Sequence, residues 1–355
     1  GSSKLFSYIN RRTFDVSTKI SHGTKHKIRL NGYIDIPTIA DIKSLNGQIN
    51  INFDELDLGA IKLWTKYFSE IKSGISDAEI RLDINNGIIE KINNKLNINN
   101  LTWLTKENKT VIIDRFSGLI GWKNNKGHSS VKLSEFSTSI NNGLNFKDAK
   151  IELEVDNKNK LRLISLDINR LNLDAVNRLT QKLPKNFTDF YAEYFRISPS
   201  GVLTSLKLRW EKNETFRLGA NVLGLSFMPF EYFPGITNIT GEIKINNQKG
   251  HIKSVSKNIT IRDGRTFRNP LKFDQFSGVI SWDNSAYNFK DINIKNNDLQ
   301  AEVNGNYFHG DQDKRKADMD INILNIVIPE LKKYYPKQLG EKTLNWLDTS
   351  LIRGI

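Results

Sequence analysis

The chain has 355 residues, 38% of them hydrophobic, enough to bury a core and to argue against a disordered chain. Fifty-two Lys and Arg stand against 39 Asp and Glu, a formal charge of +13 that favours anionic partners, yet the basic residues are scattered as on a solvated surface. There is no cysteine, which excludes disulfides, Cys-based zinc sites and a thiol nucleophile.

Residues 1–3, Gly-Ser-Ser, read as a tag remnant. No run approaches the roughly 18 to 20 apolar residues of a membrane-crossing helix, and neither a signal peptide at the start nor a stop at the end is legible. The chain therefore reads as an internal piece of a longer protein. Most of its length alternates apolar and polar residues at period two, the mark of strands with one dry face. Ile49, Ile51 and Phe53 open the pattern, and Ile80, Leu82 and Ile84 continue it, followed by Leu96 and Ile98. It returns in Ile151, Leu153 and Val155, in Leu206, Leu208 and Trp210, in Ile243 and Ile245, in Ile259 and Ile261, and with Met319 in Ile321 and Ile323. Asn86-Gly87 and Asn142-Gly143 are hairpin signals, since both steps tolerate positive φ.

Helical spacing is confined to a few segments. Ala60, Ile61, Trp64, Tyr67, Phe68 and Ile71 form one stripe over residues 59–71, with Gly74 as the stop. Asp174 is the expected N-cap of a helix over 174–183 that ends at Pro184. Further helices are expected over 329–335, with Pro329 in the first turn, and over 341–351. Phe187, Phe190, Tyr191, Tyr194 and Phe195 read as core packing.

The chain repeats itself in order. Glu79-Ile80-Arg81-Leu82 recurs as Glu242-Ile243-Lys244-Ile245, and Phe116-Ser117-Gly118-Leu119-Ile120-Gly121-Trp122 as Phe276-Ser277-Gly278-Val279-Ile280-Ser281-Trp282. Leu171-Asn172-Leu173 and Leu324-Asn325-Ile326 each precede a helix. This recurrence divides the chain into 4–75, a partial N-terminal unit with a helix, 76–234, one repeat, and 235–355, a second repeat cut short at its C-terminus. Few helices cannot cover so many one-faced strands. The dry faces must meet in a sandwich or barrel, wrap a solenoid core, or curl into a trough for an apolar ligand, and the lack of a Pro/Gly/Ser-rich linker leans toward one long curved sheet. In the repeated Phe-Ser-Gly motif the Gly is expected to permit a bulge, with Trp122 and Trp282 at a channel rim.

No nucleophile elbow, phosphate loop or dinucleotide fingerprint occurs, so no catalytic residue and no cofactor are assigned. His22 and His26 lie four apart, but Gly23 stands where a zincin carries its glutamate. Asp311, Asp313, Asp318 and Asp320 lack the loop Gly and terminal Glu of an EF-hand, so no metal site is assigned. Nucleic-acid binding would need aromatics interleaved with cations on one face, whereas Lys207 and Arg209 alternate with Leu206, Leu208 and Trp210.

Longer motifs carry a family resemblance. Phe233-Pro234-Gly235-Ile236-Thr237-Asn238-Ile239-Thr240-Gly241, then Asn269-Pro270-Leu271, then Phe276 through Trp282, resemble a succession found in YhdP-type proteins, which are AsmA-like (DUF3971-type). Pro199-Ser200-Gly201-Val202-Leu203 and Trp346-Leu347-Asp348 with Leu351 and Gly354 are similar to flanking segments of that family, and the likeness runs from about Leu45 to Gly354. The resemblance implies a mainly β fold, an elongated, curved, antiparallel repeating β-groove with a few short helices. It implies a non-enzymatic, bridge-like protein of the Gram-negative periplasm, held in the inner membrane by an N-terminal anchor absent here. Such a protein moves phospholipid toward the outer membrane with acyl chains in the groove. Outer-membrane or envelope proteins would be partners, and nucleic acid would not. The period-two residues, from Ile49 to Ile323, are then the groove candidates. The alternative is a non-transporting envelope scaffold that binds proteins through its sheet edges. A carbohydrate-active solenoid is disfavoured because no carboxylate pair sits beside aromatics on a strand face.

Overall fold

A computed structural model of the chain describes residues 10–22, 24–36, 44–61, 70–105, 109–125, 127–140, 143–158, 160–181, 197–212, 215–230, 234–308 and 316–350. The expected aromatic cluster at Phe187 to Phe195, the helical stripe through Trp64, Tyr67 and Phe68, Asn142, Asp311 and Asp313 lie outside the described residues, as do the side chains of His22 and His26. The fold is mainly β and antiparallel, with a few short helices. It comprises two compact units: Gly1–Asn169 with Lys182–Pro184 and Arg209–Asn213, and Arg170–Gln181 with Lys185–Leu208 and Glu214–Ile355.

The first unit is a meander in which each strand pairs with the next: β1 (Asn10–His22), β2 (Thr24–Ile36), β3 (Asn46–Asp57), β4 (Ile71–Asn85), β5 (Ile88–Leu104), β6 (Thr110–Asn125), β7 (His128–Ile140), β8 (Leu144–Asp156) and β9 (Leu161–Asn172). The second holds β10 (Ser200–Glu211), β11 (Thr215–Phe227), β12 (Gly235–Asn246), β13 (Lys249–Arg262), β14 (Leu271–Trp282), β15 (Ala286–Lys295), β16 (Leu299–Phe308) and β17 (Lys316–Ile326), again a meander. Among the described residues β1 does not pair with β9, nor β10 with β17, so each meander is an open sheet. β4 to β9 and then a helix recur as β12 to β17 and then a 3-10 helix, the succession that the repeated sequence motifs mark.

The helices depart from the sequence expectation in detail. α1 spans only Leu58–Ile61, and Ile71, expected at a helix end, instead starts β4. Gly74 is not a helix stop: it lies within β4 at φ 151° against Leu101, where its missing side chain lets a neighbouring strand approach. α2 spans Leu173–Thr180, and its cap is Asn172, whose Oδ1 accepts from the Ala175 N–H at 3.0 Å. Asp174 lies too far along to cap and accepts instead from the Gly201 N–H at 3.0 Å. Pro329 opens a 3-10 helix, Ile328–Tyr334, and α3 covers Glu341–Ser350. The Asn86-Gly87 hairpin forms as expected, with both residues at positive φ (51° and 70°).

Strands of this length do not run straight. Along β3, β5, β7, β8, β10, β12, β13 and β15 one residue sits in the left-handed region: Glu55, Asn100, Glu135, Asp148, Ser205, Asn238, Asn258 and Asp291, all at φ 52° to 67°. Ladder registers slip beside Glu55, Glu135, Asp148, Asn238 and Asp291, so these positions are β-bulges. A bulged N–H points away from the ladder and needs another acceptor. Four find one on an adjacent strand: Glu55 N on Asp77 Oδ1 (2.9 Å), Asp148 N on Ser137 Oγ (3.2 Å), Asn238 N on Ser226 Oγ (2.9 Å) and Asp291 N on Asn304 Oδ1 (2.8 Å).

The bulges divide each strand into two arms. On one side lie tight hairpins such as Asn86-Gly87; on the other lie the helices and longer connections. Burial concentrates at the bulges and on the helix side. In the first unit Val111, Phe136, Leu144 and Ala149 are buried there. In the second, Val222, Ile239 and Ile259 form one core cluster, and Leu271, Phe273, Leu299 and Ala301 another. Tyr334 closes the latter: its ring stacks on Phe273 at 6.4 Å and its hydroxyl accepts from Asn296 Nδ2 at 2.8 Å. A hydroxyl network joins the bulge of β12 to β13, where buried Ser256 Oγ accepts from Thr240 N at 2.8 Å and lies 2.7 Å from Ser254 Oγ. Ser256→Ala strands that N–H, and urea unfolding is expected to report a loss of about 1 to 3 kcal/mol, against a few tenths for the exposed Ser285→Ala.

Candidate functional site

Directly opposed residues in a ladder share a face, and residues two apart on a strand share it too. On the hairpin side of the bulges in the first unit, the registers link Ile49, Leu82, Ile92, Trp122, Val131, Leu153 and Ile164 into one row. A second row, two residues nearer the bulges, joins Leu30, Ile51, Ile80, Asn94, Ile120, Leu133, Ile151 and Leu166. A third begins Ile28, Phe53, Ala78, Leu96 and reaches Gly118. All members of the first two rows are half-buried and none is fully buried. Together they make a continuous hydrocarbon wall with nothing packed over it to core density.

The second unit builds the same wall. Ala220, Ile243, Ile252, Ile280, Phe289, Gly305 and Met319 form one row, and Leu218, Ile245, Gly250, Trp282, Tyr287, Tyr307 and Ala317 the row nearer the hairpins. The Trp282 ring lies over Gly250, whose Cβ, were there one, would collide with it. Tyr287 and Tyr307 stack at 6.4 Å, and burial, with a smaller contribution from Tyr307, pushes the Tyr287 phenol above its ordinary pKa. Trp and Tyr at this edge carry a polar handle beside an apolar body.

The sequence candidates distribute unevenly over this geometry. Ile49, Ile51, Ile80, Leu82, Ile151, Leu153, Ile243 and Ile245 come together in the rows, and Phe53 and Leu96 adjoin them. Ile84 and Val155 lie at the hairpin end, opposite Gly47 and Ser129, while Ile98 opposes Phe116 near the bulges. Leu208 and Trp210 are half-buried on β10. Leu206 and Ile259 are covered by protein atoms (3% and 2% exposed), and Ile261 packs with the core clusters beyond the left-handed Asn258. Ile321 and Ile323 oppose Val303 and Ala301 and are more than half exposed.

Leu30, Ile92, Ile120, Val131, Leu133, Ile164 and Leu166 complete the wall without having been singled out in the sequence. The same alternation carries them, but Asn, Gly and Ser interrupt it on their strands. The opposite face is polar. There an open cleft of about 720 Å3 is lined by Asn31, Arg81 and Lys132 of that face and is reached also by Ile80, Asn94 and Ile120 of the second row, and Asn50 Nδ2 donates to Asn31 Oδ1 at 3.0 Å. Asp318 and Asp320 are exposed while Met319 between them is half-buried, as on a strand with one wet face.

A family model described as YhdP protein matches residues 7–355. The chain belongs to the YhdP family. No curated protein matches it significantly. In this YhdP-family chain the two-row wall contains aliphatic and aromatic carbon at every position but Asn94 in the first unit. Such a surface can bury apolar matter through non-directional contacts.

Proposed function

We propose that the chain is a lipid-conducting segment of a bridge-like protein of the bacterial periplasm, anchored in the inner membrane elsewhere in its length and carrying phospholipid toward the outer membrane with the acyl chains against the apolar rows. The observation that supports this reading is the continuity of the first two of those rows, across seven and eight strands of the first unit, with no member of either fully buried. A hydrocarbon wall in water is costly: each methylene brought out of water contributes about 0.8 kcal/mol, so a bound acyl chain would stabilise wall and chain together. Rows of similar side chains also offer successive, nearly equivalent contacts, which allows movement along the wall without a deep trap. The reading calls for neither catalysis nor a cofactor.

Native mass spectrometry of the purified chain is the test. Mass increments matching one or more phospholipids, lost on detergent extraction and regained from phosphatidylethanolamine vesicles, are the expected result. Protein that carries no lipid and takes up none from those vesicles would overturn the reading and leave an envelope scaffold in its place.

A further inference from the structure

We propose that Asn94 is a hydrogen-bonding station within the apolar wall, at which its side-chain amide engages the ester carbonyl of a glycerolipid. The inference rests on the lipid-conducting reading and sharpens it to a ligand group.

Asn94 is the one polar member of its row, between Ile80 on β4 and Ile120 on β6. Ile92 and Leu96 flank it two residues away on the same face of β5, so aliphatic side chains surround it on four sides. Its Oδ1 is buried and has no hydrogen-bond partner. An amide in that state costs stability, because it has given up water without compensation. The second copy shows what the pattern otherwise places there: Ile252, which opposes Ile243 and Ile280 as Asn94 opposes Ile80 and Ile120. Packing alone would favour the isoleucine.

A ligand supplies the missing reason. Against a wall of carbon, the polar atoms of a diacyl lipid closest to its chains are the two ester carbonyls, which are acceptors. An amide is both donor and acceptor, and with its oxygen turned into the protein the NH2 group is the end left to donate to such a carbonyl. Asn94 lies one row inward from Trp122, about 7 Å along the strand at 3.4 Å per residue. A carbonyl held at Asn94 would leave the acyl chain on the rows toward the bulges and direct the headgroup past Trp122 to the hairpin edge.

The test compares the whole chain with Asn94→Leu, and with Asn94→Ile, the residue of the second copy, as a further variant. The probes are vesicles of dioleoyl phosphatidylglycerol and of its dioleyl ether analogue, which keeps chains and headgroup but lacks both carbonyls. Lipid occupancy is read by native mass spectrometry. The unsubstituted chain is expected to favour ester over ether by about three- to tenfold, the range of one net hydrogen bond. Both variants are expected to take up the two lipids equally, with a thermal midpoint no lower than that of the parent. A parent without ester preference, or a variant that keeps it, overturns the proposal while ether uptake leaves the trough intact. Uptake of neither lipid by any of the proteins overturns the trough reading itself and this inference with it.

Discussion

Leu82→Asp in the first unit, or Ile245→Asp in the second, is expected to lower phospholipid uptake sharply while leaving the protein folded. Leu82 lies between Ile49 and Ile92 in its row, and Ile245 between Leu218 and Gly250; both are half-buried, so the substitution leaves no closed cavity. Against an acyl chain the new carboxylate must lose its hydration or take up a proton. Protonating a group of ordinary pKa about 3.9 at pH 7 costs about 4 kcal/mol, equivalent to roughly a thousandfold. Lipid that detours around the site or an Asp that leans toward the hairpin edge lowers this, so a loss of at least about tenfold is the expected reading.

The sign with pH follows from the same step. Since the penalty is the cost of protonation, uptake by the variant should recover as pH falls toward the carboxylate range, by up to about tenfold per unit. Asn93→Asp supplies the control, adding the same charge to β5 on the polar face, where Asn93 opposes Arg81. Uptake that survives Leu82→Asp, or that falls equally with Asn93→Asp, would rule out the apolar rows as the conducting surface.

How much of this was written in the sequence depends on which regularity is followed. Simple alternation suffices for Ile80, Leu82 and Ile84, which stand on one face of β4. It fails to separate wall from core, because a bulge changes the phase. Val131 and Leu133 are followed by Phe136 and Thr138; Ser254 and Ser256 by Ile259 and Ile261; Tyr287 and Phe289 by Ile292 and Ile294. In each strand two consecutive polar or charged residues intervene, and the second of the two is the left-handed one: Glu135, Asn258 and Asp291. The slip from a spacing of two to a spacing of three was thus legible, and the residue just past it, Phe136, Ile259 or Ile292, is in each case buried in the core. It explains why Ile259, set beside Ile243 by alternation alone, is 2% exposed in a core cluster.

What the sequence could not supply is the cross-strand register. That Asn94 falls between Ile80 and Ile120 depends on hairpin lengths and on bulges in neighbouring strands, none of which is local to β5. The helix errors have a comparable origin. Asp174 and Asn172 are both acceptable caps by composition, and the choice is made by Gly201, whose N–H takes the Asp174 carboxylate.

Gly278→Ala is expected to be among the most damaging single substitutions in the second unit, although it adds one methyl group to a half-buried position. Gly278 has φ 142°, a conformation costly for any residue with a side chain, and a Cβ there would sit 2.6 Å from Ile292 Cδ1 and 2.8 Å from both Asp291 O and Ile292 Cα. Two of those atoms are backbone of the β15 bulge and cannot step aside without breaking the contact between Asp291 N and Asn304. Adding conformational strain of about 1 to 3 kcal/mol to overpacking of a similar size gives an expected loss of about 2 to 6 kcal/mol.

Gly118 occupies the same place in the first copy of the motif but is less tightly held. Its Cβ would meet Phe136 Cα at 3.2 Å and no left-handed φ is imposed, so Gly118→Ala should cost roughly 1 kcal/mol. Because the two units need not unfold together, hydrogen exchange resolved to peptides over β13 to β15 is the appropriate measurement. Marked deprotection there in Gly278→Ala, with β5 to β7 little changed in Gly118→Ala, is the expected result; parent-like exchange around residue 278 would refute it. The consequence extends to the wall itself. The glycine fixes the slip between Ser277 and Val279, and that slip determines which face Ile280 and Trp282 present, so a register error of one residue would turn both away from their rows, Ile280 from Ile252 and Trp282 from Gly250.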